Sequence, residues 1–569
     1  ANMARLAKLK LTCSNRAILA KLEELGEDHD IKLKKAKETI THGNKTMQAK
    51  VRTLEVLKSN NNANATCDTS SEKKVAVPLG VIFKNENVNE DMLHILKQFH
   101  SYLPRTSNDG YDSQLFAGDQ LTVERAINVQ ASVANGYTQE DRLEGINLQI
   151  GDWHASVKLL TLIYNKFFSA KSDGESCTIY SDRTLINRRN VTGDPKATYR
   201  PNRDFLRIII ESRVIVAASK VLGFESKSGM PTKFPIPPNL DTATKIQKLK
   251  YLMEASAKIV DAYIFEDSSV NQIVDDVLTV QERENLVNTQ QLTKDGRFPC
   301  RFQGCTKSFR YNGKSRRSHE MTHDPPPDIP DQLSVSSCSN SRPTIEKVEV
   351  KDDVFNYNCG LLTDGFLFFN FLDAISEGDG MRIMRQYKYI MLYCKADESH
   401  STKYALECLY QFFLVYAVLS PRDSERFIWN RSVSNTCQKG SNIPLDLDVE
   451  HSNNFIKQGI KNLGPNVTEH AISRISRAET ATTNILDNLD ENIQRVSRSG
   501  RHTQSSDDKD LQQLVKKALE VDIFTEHAQR SYKQFADIKR DRLENFDTSN
   551  LFKWINTHKN NLVRGIRAR

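Results

Sequence analysis

The sequence lacks the features that mark secreted, disulfide-linked or membrane-spanning proteins. Its first residues, A-N-M-A-R-L-A-K-L-K-L, contain no unbroken apolar run of the kind that forms a signal peptide. The most apolar stretch, Tyr404–Leu419, is interrupted by Glu407 and Gln411 and is too short to span a bilayer comfortably. Ten cysteines are scattered through the chain, and only one pair has metal-ligand spacing. These absences predict an intracellular protein with no membrane partner and no disulfide framework.

A strong excess of either charge is also missing. The net charge is +7 over 569 residues, with 38% hydrophobic and 27% charged residues. This composition is typical of a globular protein with long polar connections, and the length leaves room for roughly two to four domains. The mild positive charge therefore permits an anionic partner without requiring one.

One motif predicts a metal site near the middle of the chain. It reads F-P-C-R-F-Q-G-C-T-K-S-F-R-Y-N-G-K-S-R-R-S-H-E-M-T-H and carries Cys300, Cys305, His319 and His323 in that order. Two thiolates on a turn and two imidazoles at i and i+4 on one helix face can close a tetrahedral zinc site. Four protein ligands leave no position for a catalytic water. We therefore expect structural Zn²⁺ in a two-Cys-two-His finger.

The finger departs from the usual pattern at one buried position. Phe298 and Phe309 fall where such fingers keep a small aromatic core. Arg316 stands three residues before the first histidine, where most fingers bury a leucine. Met321 or Tyr311 is the natural candidate to fill that space.

Basic residues outnumber acidic ones around the finger, which predicts contacts with nucleic-acid phosphates. The candidates are Arg310, Lys314, Arg316 and Arg317. The alternative is a finger that packs on the rest of the protein and touches no nucleic acid. Because one finger reads about three base pairs, DNA specificity would need other surfaces, a protein partner or a homo-oligomer.

The chain before the finger predicts alternating strands and helices. Gln114–Leu121 and Ile146–Ile150 are strand-like, and each precedes a helical pattern, the first capped by Thr122. This order indicates an α/β unit. Asp119 and Asp152 lie at the ends of the two strands.

A later segment adds three carboxylates. Residues 443–449 alternate apolar and polar, which in an extended chain places Asp446, Asp448 and Glu450 on one face. Acids at the ends of adjacent strands, with one from a later element, can hold two Mg²⁺ ions about 4 Å apart for phosphoryl transfer. Each acid also has a plain structural explanation as a helix cap, a turn residue or part of a solvated face.

Four runs, taken together in order, resemble one uncharacterised family of proteins derived from DNA transposons. They are G-D-Q-L-T-V-E-R (118–125), E-G-I-N-L-Q-I-G-D-W-H-A (144–155), L-I-N-R-R-N-V (185–191) and D-L-D-V-E-H-S-N-N-F-I-K (446–457). The family often carries the same finger, C-R-F-x-G-C-x-K-S-F, and the likeness covers most of residues 10–550. It implies an incomplete α/β, ribonuclease-H-like transposase core with a large, mainly α-helical insertion that contains the finger. The chain would then be α-rich overall.

The resemblance also implies roles for the acids. Asp119 matches the second catalytic acid and Glu450 the third, while Asp152 lies in a further family motif, D-W-H, of unknown role. The family's first acid, in a run such as G-D-N-x-D, has no counterpart between residues 40 and 75. Loss of a bridging ligand should remove most activity and leave Mg²⁺ binding weak. The gap reflects either a degenerate copy or an exon missing from the sequence.

These patterns divide the chain into segments. They are an N-terminal helical arm (1–57), a polar linker (58–74), the first part of the α/β core (75–180), a helical insertion (181–442) with the finger at 296–324 and a Pro/Ser linker at 325–345, the last part of the core with Glu450 (443–496), and C-terminal helices with a basic tail (497–569).

The leading hypothesis is a nuclear, transposase-derived zinc-finger protein that binds DNA and is catalytically degenerate. One alternative is an active Mg²⁺-dependent transposase or nuclease, which needs the missing acid. Another is a protein–protein scaffold with a structural zinc, which an exposed apolar patch would favour.

Overall fold

The structure, a computed structural model, describes most of the chain between residues 79 and 563. The described ranges are 79–106, 109–224, 229–264, 295–310, 314–327, 351–397, 401–434, 440–465, 467–492, 507–544 and 546–563, with residue 293 and isolated positions between 20 and 37. The predicted polar linker, most of the N-terminal arm and most of the Pro/Ser linker lie outside them.

Helices dominate the described residues. They are α1 (Asn89–His100), α2 (Gln120–Ser132), α3 (Asp152–Phe167), α4 (Ile179–Leu185), α5 (Tyr199–Leu222), α6 (Lys245–Tyr263), α7 (Lys314–Glu320), α8 (Asp353–Glu377), α9 (Gly380–Ala396), α10 (Thr402–Phe413), α11 (Pro421–Trp429), α12 (Leu445–Asn462), α13 (Glu469–Arg477), α14 (Glu479–Asn492), α15 (Asp508–Val521) and α16 (Thr548–Val563). The strands are β1 (Gln114–Gly118), β2 (Ile146–Ile150), β3 (Phe298–Pro299), β4 (Ser308–Phe309), β5 (Ser432–Ser434) and β6 (Asn442–Pro444).

The predicted strand–helix–strand–helix unit is present as β1, α2, β2 and α3. The two strands pair in parallel, with Gln114 opposite Ile146 and Gly118 opposite Ile150. The first strand ends earlier than predicted because Asp119 leaves the sheet and caps α2, accepting a hydrogen bond from the backbone N–H of Thr122 at 2.7 Å. The prediction that Thr122 caps this helix was therefore wrong.

The segment that carries the later acids is helical where the alternating pattern predicted an extended chain. Strand β6 ends at Pro444, and α12 begins at once with Leu445. Asp446 and Asp448 lie in the first helical turn, where carboxylates are favoured by the helix dipole. The prediction of one extended face that presents three carboxylates was wrong.

The sheets in the described ranges each contain two strands. The chain is thus α-rich overall, as predicted, with a small parallel α/β unit. The ribonuclease-H-like core and the division into core and insertion stay predictions.

Helix α8 lies at the centre of the hydrophobic core. It packs on α3, α5 and α9. The ring of its Tyr357 meets Phe167 of α3 edge to face at 5.1 Å. By length and composition α8 could cross a membrane, but here its side chains Leu361, Phe368 and Phe371 are buried inside the protein. Helices from the predicted first part of the core (75–180) and from the predicted insertion (181–442) consequently share one apolar cluster.

Candidate functional site

The finger is built from a short hairpin and a short helix that pack on one another. Strands β3 and β4 are antiparallel, with Phe298 opposite Phe309, and α7 lies against them. Between the strands the chain turns at Gly304, whose φ of 93° is a conformation that glycine adopts without strain. The turn is closed by a 2.8 Å hydrogen bond from the backbone N–H of Cys300 to the carbonyl of Lys307. It holds the two cysteines of the motif close together.

The hairpin and α7 bring all four predicted ligands together. The Sγ of Cys300 lies 3.4 Å from Nε2 of His323, and the Sγ of Cys305 lies 3.3 Å from Nε2 of His319. The two Nε2 atoms are 3.2 Å apart, and all four ligand atoms lie within 4.8 Å of one another. The group can therefore hold a metal ion.

Aromatic rings fix the two histidines. Phe302 stacks on His323 with a centroid separation of 4.2 Å and an interplanar angle of 6°. Phe309 packs on His319 at 5.4 Å, in keeping with the predicted aromatic core. Burial, followed by the charges of Lys307 and His323, lowers the pKa of His319, which favours the neutral imidazole that a metal requires.

The structure corrects the prediction for Arg316. Its side chain is 1% exposed, and its Nε lies 2.9 Å from Oε1 of the buried Glu320. Arg316 itself fills the place of the usual leucine, so it is withdrawn from the surface that a phosphate could reach. Met321 does not fill that place, being 63% exposed, and Tyr311 lies outside the described residues. Arg310, Lys314 and Arg317, the other predicted phosphate contacts, are exposed.

Asp119 and Asp152, two of the predicted catalytic acids, follow the ends of β1 and β2, and Asp152 is paired with a buried arginine. It is 3% exposed, and its Oδ1 and Oδ2 lie 2.6 and 3.0 Å from the Nη2 and Nε of buried Arg431. The hydroxyl of Tyr387 donates a further 2.7 Å bond to the same carboxylate. This arrangement uses the oxygens that a metal would need. It argues against a ligand role for Asp152, and Gly151, not Asp152, is the N-cap of α3.

Asp446 binds the N-terminal turn of α3. Its carboxylate accepts hydrogen bonds from the backbone N–H groups of Trp153 and His154 at 3.1 and 2.9 Å. Nδ1 of the His154 ring also lies 2.9 Å from Oδ2 of Asp446. Asp446 is buried, whereas the side chain of His154 is 32% exposed. Two residues of the D-W-H motif thus donate backbone hydrogen bonds to this carboxylate.

Asp119 and Glu450 act electrostatically on the same histidine. Burial alone would lower the pKa of His154. The hydrogen bond to Asp446 and its charge, with smaller effects of Asp119 and Glu450, outweigh burial, so the pKa of His154 is raised. Glu450 follows Asp446 by one turn of α12, and α12 packs on both α3 and β1. Asp446 therefore contacts His154 directly, and Asp119 and Glu450 lie near enough for their charges to act on it.

These acids do not form a metal-holding group in the described conformation. Among the residues that the structure describes, the Cys/His group is the one set of three or more such side chains whose ligand atoms all lie within 4.8 Å of one another. His154 was not predicted as the partner of Asp446, and neither Phe302 nor Arg431 was predicted as a site residue. His154 stood in the quoted G-D-W-H run, and Phe302 in the C-R-F-x-G-C run. No comparable signal pointed to Arg431.

Comparison with known proteins identifies a family without assigning a function. A model described as "Family of unknown function (DUF6589)" matches residues 42–502. No curated protein and no solved structure matches the chain.

Proposed function

The chain belongs to the DUF6589 family of unknown function, and we propose that it is a zinc-finger protein that binds nucleic acid. The proposal includes a transposase origin, a nuclear location and little or no catalytic activity. The convergence of Cys300, Cys305, His319 and His323 is the observation that carries it.

The donor set fits Zn²⁺. Ligand distances of about 2.3 Å for sulfur and 2.0–2.1 Å for nitrogen in a tetrahedron place S and N atoms roughly 3.6 Å apart and two N atoms roughly 3.3 Å apart. The observed separations of 3.4, 3.3 and 3.2 Å agree with these values. Two thiolates and two imidazoles complete the coordination, so the metal is structural and supplies roughly 10 kcal/mol toward folding of the finger.

The surface of the finger supports an anionic partner. Its exposed basic residues exceed its exposed acids, Asp295 and Asp324. The exposed basic residues are Arg297, Lys307, Arg310, Lys314 and Arg317. The main hydrophobic cluster of the described residues includes no residue of the finger. That arrangement favours an outward-facing finger over one that packs into the protein, and it suits backbone contacts with a nucleic acid.

A catalytically degenerate, ribonuclease-H-like origin is supported by the parallel β1–α2–β2–α3 unit and by Asp119 at the end of its first strand. The engagement of Asp152 by Arg431 and the missing first acid both argue against a working two-metal centre. The alternative of an active Mg²⁺-dependent nuclease or transposase draws support from Asp119 and Glu450, which both influence His154. In that case these two carboxylates would hold the ion.

A scaffold function is the other alternative, and one surface favours it. The N-terminal half of α6 exposes Ile246, Leu249, Leu252 and Met253, each between 55% and 79%. Contiguous exposed apolar side chains of this kind often mark a protein-binding surface. In a scaffold the zinc would have a purely structural role.

Metal content and DNA binding of the full chain test the proposal together. Elemental analysis should find about one zinc per wild-type chain and far less in Cys305→Ser, whereas Ser318→Ala, which changes an exposed residue of the same helix, should keep its zinc. Wild type should bind duplex DNA at low salt, and Cys305→Ser should bind markedly less. Equal zinc in wild type and Cys305→Ser would refute the metal assignment. Zinc binding without any affinity for DNA would favour the scaffold.

A further inference from the structure

A buried ionic cluster occupies the interior of the finger, where a two-Cys-two-His domain usually keeps apolar side chains. Its members are Arg301, Arg316 and Glu320. The side chains of Glu320 and Arg316 are 0% and 1% exposed, and that of Arg301 is 8% exposed. The guanidinium of Arg316 also lies 5.7 Å from the ring centroid of Phe298, within the range of a cation–π contact.

The carboxylate of Glu320 joins the two arginines. Its Oε1 accepts a 3.1 Å hydrogen bond from the backbone N–H of Arg301, and its Oε2 accepts another of 3.1 Å from Nη1 of the same residue. Nε of Arg316 lies 2.9 Å from Oε1. One carboxylate therefore pairs with two guanidinium groups and accepts a hydrogen bond from one backbone N–H inside the finger.

The cluster links the two halves of the metal site. Arg301 directly follows Cys300 on the hairpin, whereas Glu320 directly follows His319 on α7. Every contact between Arg301 and Glu320 thus ties the cysteine-bearing turn to the histidine-bearing helix. Arg316 lies one turn earlier on α7 and braces Glu320 from within the helix.

We propose that Glu320, with Arg301 and Arg316, positions the cysteine pair against the histidine pair and thereby sets the metal affinity of the finger. The inference rests on the proposed metal binding, because it assigns a role to residues that contact no ligand atom themselves. Its physical basis is the cost of burying charge. With Glu320 present, each arginine has a carboxylate partner, but without it two buried cations face each other and the helix must move away from the turn.

The test is a Co²⁺ titration of the full chain, followed by competition with Zn²⁺. We expect Glu320→Leu to weaken metal affinity about tenfold or more, the range found for residues that orient metal ligands. At saturating metal the cobalt absorption should keep the shape seen in wild type, because the four ligands are unchanged. The unfolding midpoint of the rest of the chain should stay the same, as it should in Glu254→Gln, which alters an exposed glutamate of α6.

A second variant separates positioning from simple loss of the finger's fold. Arg316→Leu together with Glu320→Leu restores the usual apolar residue and removes one buried cation, so its affinity should recover most of the loss. Such coupling is expected for groups in one network. Wild-type affinity in Glu320→Leu would overturn the positioning role, as would a double variant that is as weak as the single one. Failure of the wild-type chain to bind Co²⁺ or Zn²⁺ would instead reject the proposed function.

Discussion

Asp446 holds His154 at two points, accepting a 2.9 Å hydrogen bond from its backbone N–H and lying 2.9 Å from Nδ1 of its ring, although 292 residues separate them in sequence. The contact joins α12 to the first turn of α3. A carboxylate at a helix N-terminus satisfies N–H groups that have no partner within the helix and also meets the positive end of its dipole. We therefore consider the G-D-W-H run to be a docking point for α12.

Gly151 is required by this docking. A Cβ atom at residue 151 would lie 2.3 Å from Oδ2 of Asp446, closer than real Cβ contacts allow. We expect Gly151→Ala to lower the free energy of unfolding by about 1–3 kcal/mol, as overpacking of a filled site does. Gly174→Ala is the matched control, because no atom lies within 4 Å of its added methyl. Urea midpoints of the two variants decide the matter, and equal values would show that α12 adjusts freely.

The charge on His154 should make stability depend on pH. Its pKa in the folded protein is raised above the ordinary value of 6.5, so the folded state binds this proton more tightly than the unfolded chain does. The contribution is complete below about pH 6.5 and is lost as the pH rises through the folded pKa. The stability difference between wild type and His154→Gln should accordingly shrink with rising pH across that window. His451→Gln, at an exposed position of α12, is the matched control for the loss of a histidine side chain.

The finger and the parallel unit could be predicted because their signals are local. Ligand order and spacing define the Cys/His group within 24 residues, Cys300 to His323. In the same way, a short apolar run indicated β1, and apolar alternation followed by a helical stripe indicated β2 and α3. The acids of α12 were misread because alternation at residues 445–449 resembles a strand. In the helix Val449 points to solvent, 55% exposed, so that alternation does not describe a buried face.

Contacts between residues far apart in the sequence leave no local pattern from which they could be predicted. Arg431 meets Asp152 across 279 residues, and neither residue's neighbours indicate the pairing. Arg316 was predicted to contact phosphates because it belongs to the basic residues that outnumber the acidic ones around the finger. Its partner, Glu320, is four residues away on the same helix, a spacing that is far more often exposed.

The Arg431–Asp152 pair should matter strongly for stability. Both side chains are 2% exposed, and removing one partner leaves an uncompensated buried charge. We expect Arg431→Met to cost about 3–5 kcal/mol of unfolding free energy. Arg200→Ala, which removes an 82% exposed arginine, should change it by less than about 0.5 kcal/mol. A small loss in Arg431→Met, measured by chemical denaturation, would mean that water or a rearranged side chain satisfies Asp152.

DNA affinity should depend on Lys314 and Arg317, the exposed basic residues of α7. Each phosphate contact contributes about 0.9 to the slope of log affinity against log salt concentration. Replacing both residues with alanine should weaken binding to all sequences alike and flatten the slope by roughly two units. Lys248→Ala with Lys250→Ala removes the same charge from α6 and should leave the slope unchanged. Equal slopes for both double variants would place the DNA-binding surface outside the finger.

Cleavage of DNA should be undetectable in this chain. Asp119 caps α2 through Thr122, Asp152 is held by Arg431, and Asp446 is held by the first turn of α3. With these three acids held by protein groups, Glu450 is the one left to act as a metal ligand, and one carboxylate does not bridge two metal ions.

A nicking assay on supercoiled DNA with Mg²⁺ or Mn²⁺, run beside Asp119→Ala, tests this directly. We expect the wild-type chain and the variant to give the same background, because the residues that remain cannot neutralise the charge that develops on a transferring phosphate. Nicking by the wild-type chain that Asp119→Ala abolishes would establish a working metal centre. Since Asp119 also caps α2, the unfolding midpoint of the variant must be measured alongside. Thr122→Val keeps the backbone N–H that donates a hydrogen bond to Asp119, so it serves as the control for local disturbance. Activity lost in Asp119→Ala but retained in Thr122→Val would then assign that activity to the carboxylate itself.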